Sequence, residues 1–93
     1  MKLDALWSLV RKIPKGKVST YGILAKKLGT SPRAVGQALK KNTKLIIVPC
    51  HRVIKSNGEL GGYVNGAKEK KRLLESEGVD TNNLLAFIDD MNI

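Results

Sequence analysis

Apolar residues recur at helical spacing at the start of the chain. Leu3, Leu6, Leu9 and Val10, with Trp7 alongside, predict a helix over about residues 3–12 that ends before Pro14. Lys15-Gly16-Lys17 then makes a turn. Ser19 or Thr20 supplies an N-cap for a second helix over 21–28, and Gly29 its C-terminal stop. Ser31-Pro32 marks the next start, a hydroxyl cap followed by proline at the first helical position, for a helix over 32–41. Two short helices joined by a glycine-containing turn read as a helix-turn-helix, with the second as recognition helix. That second helix carries Ala34, Gly36 and Ala38. Such small residues offer little side-chain readout of base edges. They let a helix backbone approach a surface closely, which suits either binding without strong sequence preference or tight packing against a neighbour.

Beyond Asn42 the periodicity changes. Leu45-Ile46-Ile47-Val48 predicts a strand that Pro49 stops, and Val53-Ile54-Lys55 continues extended. Ser56-Asn57-Gly58-Glu59 is a hairpin-turn signal. Gly61-Gly62-Tyr63-Val64-Asn65-Gly66 reads as a glycine-rich loop too flexible for the core. A basic amphipathic helix over 67–77 turns Leu73 and Leu74 inward and ends at Gly78. Leu84, Leu85, Phe87, Ile88 and Met91 predict one more short helix in an acidic tail, 80–93, that packs on the domain or binds a partner. The expected class is a mainly α domain with a short β-hairpin or strand element, like a winged helix-turn-helix.

At 93 residues the chain is one small domain with a modest core. Its net charge of +9 is large for that length. All 17 basic residues and five of the eight acids fall in 1–78, giving +12 there against −3 in the tail. A polyanionic partner, nucleic acid above all, relieves such self-repulsion, and a solvated surface is the plainer alternative. No apolar run approaches the roughly 20 residues of a membrane span, and the N-terminus lacks a signal-peptide layout. A cytoplasmic or nuclear chain with no membrane partner is expected. One cysteine and one histidine exclude an internal disulfide and a four-ligand zinc site.

Those two residues, Cys50 and His51, are adjacent, with Arg52 next. A thiol becomes a nucleophile when a base or cation populates its thiolate. His51 supplies the base and Arg52 positive potential. Neighbouring strand residues point to opposite faces, so contact between thiol and imidazole needs a bend or a bridging water. A carboxylate would orient the imidazole. Glu59, Glu69, Glu75 and Glu77 are candidates, and Glu77 is attractive because it ends a helix that must pack back on the sheet. A buried structural thiol beside a satisfied histidine remains the alternative.

Pro49-Cys50-His51-Arg52-Val53 resembles the active-site signature of the O6-alkylguanine-DNA alkyltransferases. Ile13-Pro14-Lys15-Gly16-Lys17-Val18-Ser19-Thr20-Tyr21-Gly22, Arg33-Ala34-Val35-Gly36, Asn42, Gly61-Gly62-Tyr63 and Leu73-Leu74-Glu75-Ser76-Glu77-Gly78 are also similar to the family at its spacings, so the resemblance runs from about Leu3 to Val79. It implies an alkyltransferase DNA-binding and active-site domain over 1–79, with 80–93 as a C-terminal extension. It implies direct reversal of DNA damage on double-stranded DNA containing alkylated guanine, by a monomer with no cofactor and no metal. The damaged base is flipped out of the stack, as chemistry on a base requires.

The same resemblance implies the residue roles. Cys50 accepts the alkyl group once and keeps it as a thioether. His51 deprotonates it through a water and Glu77 orients His51. Tyr21 assists rotation of the nucleotide and donates to guanine N3. Asn42 is the hinge between recognition helix and active-site strand. Arg33 enters the duplex in place of the flipped base, and Ala34 and Gly36 permit close approach to the minor groove. Pro49, Val53, Tyr63 and Val64 form the substrate pocket, with the Cys50 and Val53 carbonyls on the guanine amino group.

The chain departs from the family pattern in four places. The family's usual N-terminal domain does not appear ahead of Leu3, Val64 stands where serine is common, Thr43 where proline is common, and Gln37 where glycine is common. Two alternatives therefore stay open: a single-domain alkyltransferase-like protein that binds lesions without transfer, and a generic helix-turn-helix DNA-binding module.

Overall fold

The computed structural model describes residues 3–41, 48–63 and 65–89. Four helices dominate them: α1 (Leu3–Arg11), α2 (Tyr21–Leu28), α3 (Pro32–Leu39) and α4 (Ala67–Ser76). Two strands of two residues each, β1 (Ser19–Thr20) and β2 (Val53–Ile54), pair in parallel, Ser19 with Val53 and Thr20 with Ile54.

Local chemistry sets the helix-turn-helix. The Thr20 hydroxyl accepts from the Ile23 amide at 3.0 Å and caps α2. Gly29, at φ 68°, closes it in the left-handed region. The Ser31 hydroxyl accepts from the Ala34 amide at 3.1 Å, with Pro32 in the first turn of α3. The second helix ends at Leu39, and Lys40 and Lys41 fall in the turn after it. The expected strand over 45–48 lies mostly outside the described residues, and Val48 itself sits in a bend.

The strand element differs in kind from a hairpin. At 56–58 the chain does turn, with the Lys55 amide donating to the Glu59 carbonyl at 3.0 Å. From 59 to 63 the backbone is irregular, and β2 finds its partner in β1 instead. Turn chemistry is local, whereas the choice of strand partner depends on packing that brings residues 34 positions apart together.

That short parallel pair divides two apolar clusters. Val53 packs with Leu6, Val10, Ile13, Leu24, Val35 and Leu39 from the three N-terminal helices and the turn after α1. Ile54 packs with Val18, Leu74, Val79 and Leu84. Successive strand residues face opposite ways, so two positions serve two cores. Residues 84–87 form one turn of 3-10 helix. Phe87 and Ile88 cover the second cluster, and the Val18 amide and carbonyl bond Phe87 and Asp89 at 2.9 Å each.

Leu84 is 3% exposed. Its replacement by alanine is expected to cost about 2–4 kcal/mol, read as a lower denaturant midpoint. An unchanged midpoint would show that the tail rests on the domain without supporting it.

Candidate functional site

Cys50, His51 and Arg52 form a single turn of 3-10 helix directly after Pro49, where the sequence pattern predicts the end of a strand. Cys50 and His51 are 4% and 3% exposed. Cys50 belongs to the first core cluster and also reaches the wall of a cavity of about 690 Å³. Tyr21, Arg33, Gly36, Gln37 and Tyr63 share that wall. α3 supplies most of it, with Tyr21 at the N-terminus of α2 and Gly62 and Tyr63 of the glycine loop. A Cβ at Gly36 would stand 3.9 Å from the Tyr21 ring, in ordinary contact, so glycine there leaves open space beside the tyrosine.

Glu77 caps the C-terminus of α4 and faces the 3-10 turn. Its Oε2 lies 3.0 Å from His51 Nε2. Arg52 grips the same carboxylate with two donors, Nε to Oε1 at 2.9 Å and NH2 to Oε2 at 2.7 Å, and sends NH1 to the Ile13 carbonyl at 2.9 Å. A forked pair of this kind fixes the carboxylate in plane as well as in distance. Partial burial pushes the Glu77 carboxyl up, and the Arg52 and His51 bonds more than offset it, holding Glu77 below its ordinary value. Burial pulls the His51 imidazole below 6.5 despite the Glu77 bond, with Arg52 and Lys70 adding to the fall.

These contacts select a tautomer. An ionised carboxylate only accepts, so the imidazole hydrogen sits on Nε2. Nδ1 then carries the lone pair. It is buried and has no hydrogen-bond partner among the described residues. A neutral histidine with an oriented, unprotonated nitrogen is able to accept a proton.

Two phenols stand in the wall. Tyr63 packs edge-on to His51, centroids 6.4 Å apart, and its hydroxyl is pushed up to about 12 by burial first and by Cys50 and Glu69 after that. Burial, then Cys50, also raises Tyr21, so both phenols stay protonated donors at neutral pH.

Among the sequence candidates, Tyr21, Arg33, Gly36, Cys50 and Tyr63 meet at the cavity, and His51, which follows Cys50 in the same 3-10 turn, and its partner Glu77 lie outside its wall. Ala34 is half-buried on α3 and is not in the wall, while Pro49 and Val53 are buried without lining it. Asn42 and Val64 lie outside the described residues. Sequence reasoning misses two residues. Arg52 reads there as positive potential at the thiol, without a partner, and proves to be the second anchor of Glu77. Lys70 counts there among a solvated basic face and is fully buried. Its signal is present: Lys70, Leu74 and Glu77 fall at i, i+4 and i+7, one stripe of α4.

A helix-turn-helix with a buried cysteine on the cavity beside it, followed by a carboxylate-bound histidine, defines the class as a DNA-binding domain. The chain belongs to the 6-O-methylguanine DNA methyltransferase family, whose DNA-binding domain model it matches over residues 3–79. It is 64% identical over 70 residues to the methylated-DNA–protein-cysteine methyltransferase of Saccharolobus solfataricus, covering 75% of this chain and 46% of that protein. The chain thus spans about half the length of the curated relatives it matches. The crystal structure of O6-methylguanine-DNA methyltransferase from Pyrococcus kodakaraensis superposes with a TM-score of 0.77 at 49% identity, over 83% of this chain and 46% of that one. The S. pombe ATL protein in complex with DNA gives a TM-score of 0.82 at 35% identity, over 94% and 93% of the two chains.

The two depressed groups set a pH dependence of stability. His51 folds neutral although it would be half-protonated at 6.5 when unfolded. Its contribution is complete above that value and declines as pH falls through it. Glu77 adds to the loss further down, as pH falls below its unfolded value of 4.5 and through its lower folded value. The denaturation midpoint should fall steadily from pH 7 to pH 4, and His51→Gln should flatten the upper part of that decline. A His51→Gln profile parallel to the parent's would rule out a neutral buried imidazole.

Proposed function

We propose that this chain binds double-stranded DNA and transfers the alkyl group of a flipped O6-alkylguanine to Cys50, irreversibly and once per molecule. The observation that carries the reading is the joint placement of Cys50 on a cavity under the recognition helix and of His51, locked by Glu77, beside it.

Transfer to carbon by displacement needs a soft nucleophile, which a thiolate is. His51 Nδ1 takes the Cys50 proton, directly or through one water, and the Glu77 carboxylate stabilises the imidazolium that forms. Arg52 keeps that carboxylate in place. The thiolate attacks the alkyl carbon, the carbon–O6 bond breaks, and the electron pair passes to guanine. Tyr21, kept protonated by burial, donates to the guanine ring as it gains charge. Arg33, exposed at the start of α3, fills the space the base vacates. Gly36 and Ala34 allow α3 to sit close to the groove, and Asn42 serves as hinge. Tyr63 and Val64 enclose the base with Pro49 and the carbonyls of Cys50 and Val53. No group in the site is suited to cleaving a thioether, so turnover ends there. The working unit is a cytoplasmic or nuclear monomer, 1–79 carrying the activity and 80–93 extending it.

A second reading is binding without transfer. It is favoured by the agreement over nearly whole chains with the S. pombe ATL protein, a second structure of which holds damaged DNA containing O6-carboxymethylguanine. Incubation with a duplex containing O6-methylguanine separates the two. A mass gain of one methyl group, abolished in Cys50→Ala, is the expected result; tight lesion binding with no gain would favour the reader. Equal binding to damaged and intact duplex without gain would leave a generic DNA-binding module.

With +12 on residues 1–78, affinity should also drop steeply as salt rises, because phosphate contacts release counterions. A flat salt response in a filter-binding titration would remove the electrostatic basis of the DNA reading.

A further inference from the structure

Lys70 is the largest fully buried side chain among the described residues. An ammonium in a core is costly unless its donors are all used. Here two carbonyls take short bonds, Val53 at 2.5 Å and Gly62 at 3.0 Å, and the Tyr21 hydroxyl stands on the third side at 3.5 Å. The three acceptors belong to β2, to the glycine loop and to α2. The ammonium also lies 5.7 Å from the centre of the Tyr21 ring. The glycine loop is therefore pinned, contrary to its reading as free chain. A Cβ at Gly61, where φ is 78°, would come within 3.1 Å of the Tyr21 hydroxyl.

Tyr21 has one hydrogen to give. Its hydroxyl stands 3.4 Å from the Gly62 carbonyl and 3.5 Å from the Lys70 ammonium, two contacts of similar length, while Lys70 holds that carbonyl more closely at 3.0 Å. We propose that Lys70 is the positioning residue for Tyr21: its ammonium occupies a lone pair of the phenol oxygen and holds the Gly62 carbonyl, so that the phenol hydrogen is available to the occupant of the cavity. A neutral or missing amine would let Tyr21 turn its hydrogen inward to the carbonyl that Lys70 vacates. The inference rests on the proposed transfer reaction for its catalytic consequence, and on the tripod alone for its geometry.

The charged state of the amine is what the device requires. Burial lowers Lys70 to about 8, with Cys50 acting the other way. The titratable groups that face it are Tyr21 from α2, and Cys50 and His51 from the 3-10 turn. Both phenols titrate above their ordinary 10.0 and His51 below its ordinary 6.5, so none of these three follows Lys70.

Two measurements test this. In Cys50→Ser protein labelled at tyrosine Cζ, with Tyr63→Phe for assignment, the Tyr21 resonance should shift with an inflection near pH 8, Lys70's value. Lys70→Met should abolish the step. In single-turnover transfer at pH 7, Lys70→Met should slow the reaction by roughly tenfold to a hundredfold with duplex affinity little changed. Added to Tyr21→Phe, it should cost nothing further. A flat Tyr21 titration, or losses that multiply in the double variant, would overturn the proposal. The resonance step decides it alone if Lys70→Met does not fold, or if the parent shows no transfer, which would count against the transfer reading instead.

Discussion

The Glu77 carboxylate is the point on which the site depends. It accepts from Arg52 at both oxygens and from His51 at one, at the end of the helix that the second core holds in place. Without it, Arg52 and His51 would be two cationic or protonatable groups buried side by side. With it, the guanidinium charge is neutralised, the imidazole takes one tautomer, and the 3-10 turn is tied through Ile13 to the end of α1. The arrangement is an ion pair used for orientation more than for stability, since a buried pair of this kind roughly offsets its own desolvation. Its benefit is that the His51 ring is held in one orientation and one tautomer.

The two cores divide the work around that point. The first, built from α1, α2 and α3, fixes the recognition helix and the wall that carries Tyr21 and Cys50. The second, built from α4, Val18 and the tail, fixes Glu77 and Lys70. The site lies where they meet, and β2 belongs to both. Tolerance to substitution should accordingly differ between Val53 and Ile54, neighbours in sequence that answer to separate clusters.

Much of this is legible in the chain because the signals are local. Thr20, Gly29, Ser31 and Pro32 set helix ends through contacts within four residues, and the structure places those ends accordingly. The adjacency of Cys50 and His51 and the position of Glu77 at the end of an amphipathic helix are also visible. The features that escape sequence reasoning depend on distant partners. β2 pairs with a segment 34 residues earlier, so the turn at 56–59 suggests the wrong neighbour. Lys70 looks like one more surface cation because composition counts charges without asking where α4 faces. Arg52 is plain in the sequence, but its partner set joins residues 13, 52 and 77, which no window of sequence contains.

The tail has a further meaning for β1. That strand is only two residues long, and β2 occupies one side of it. On the other side, Val18 offers its amide and carbonyl to Phe87 and Asp89, and Ile88 bridges it in parallel. The sheet thus has its open backbone edge capped by the chain's own acidic end. Unpaired edges are where chains stack on one another. A cap supplied from within the chain keeps neighbouring copies from adding strand to strand along that edge.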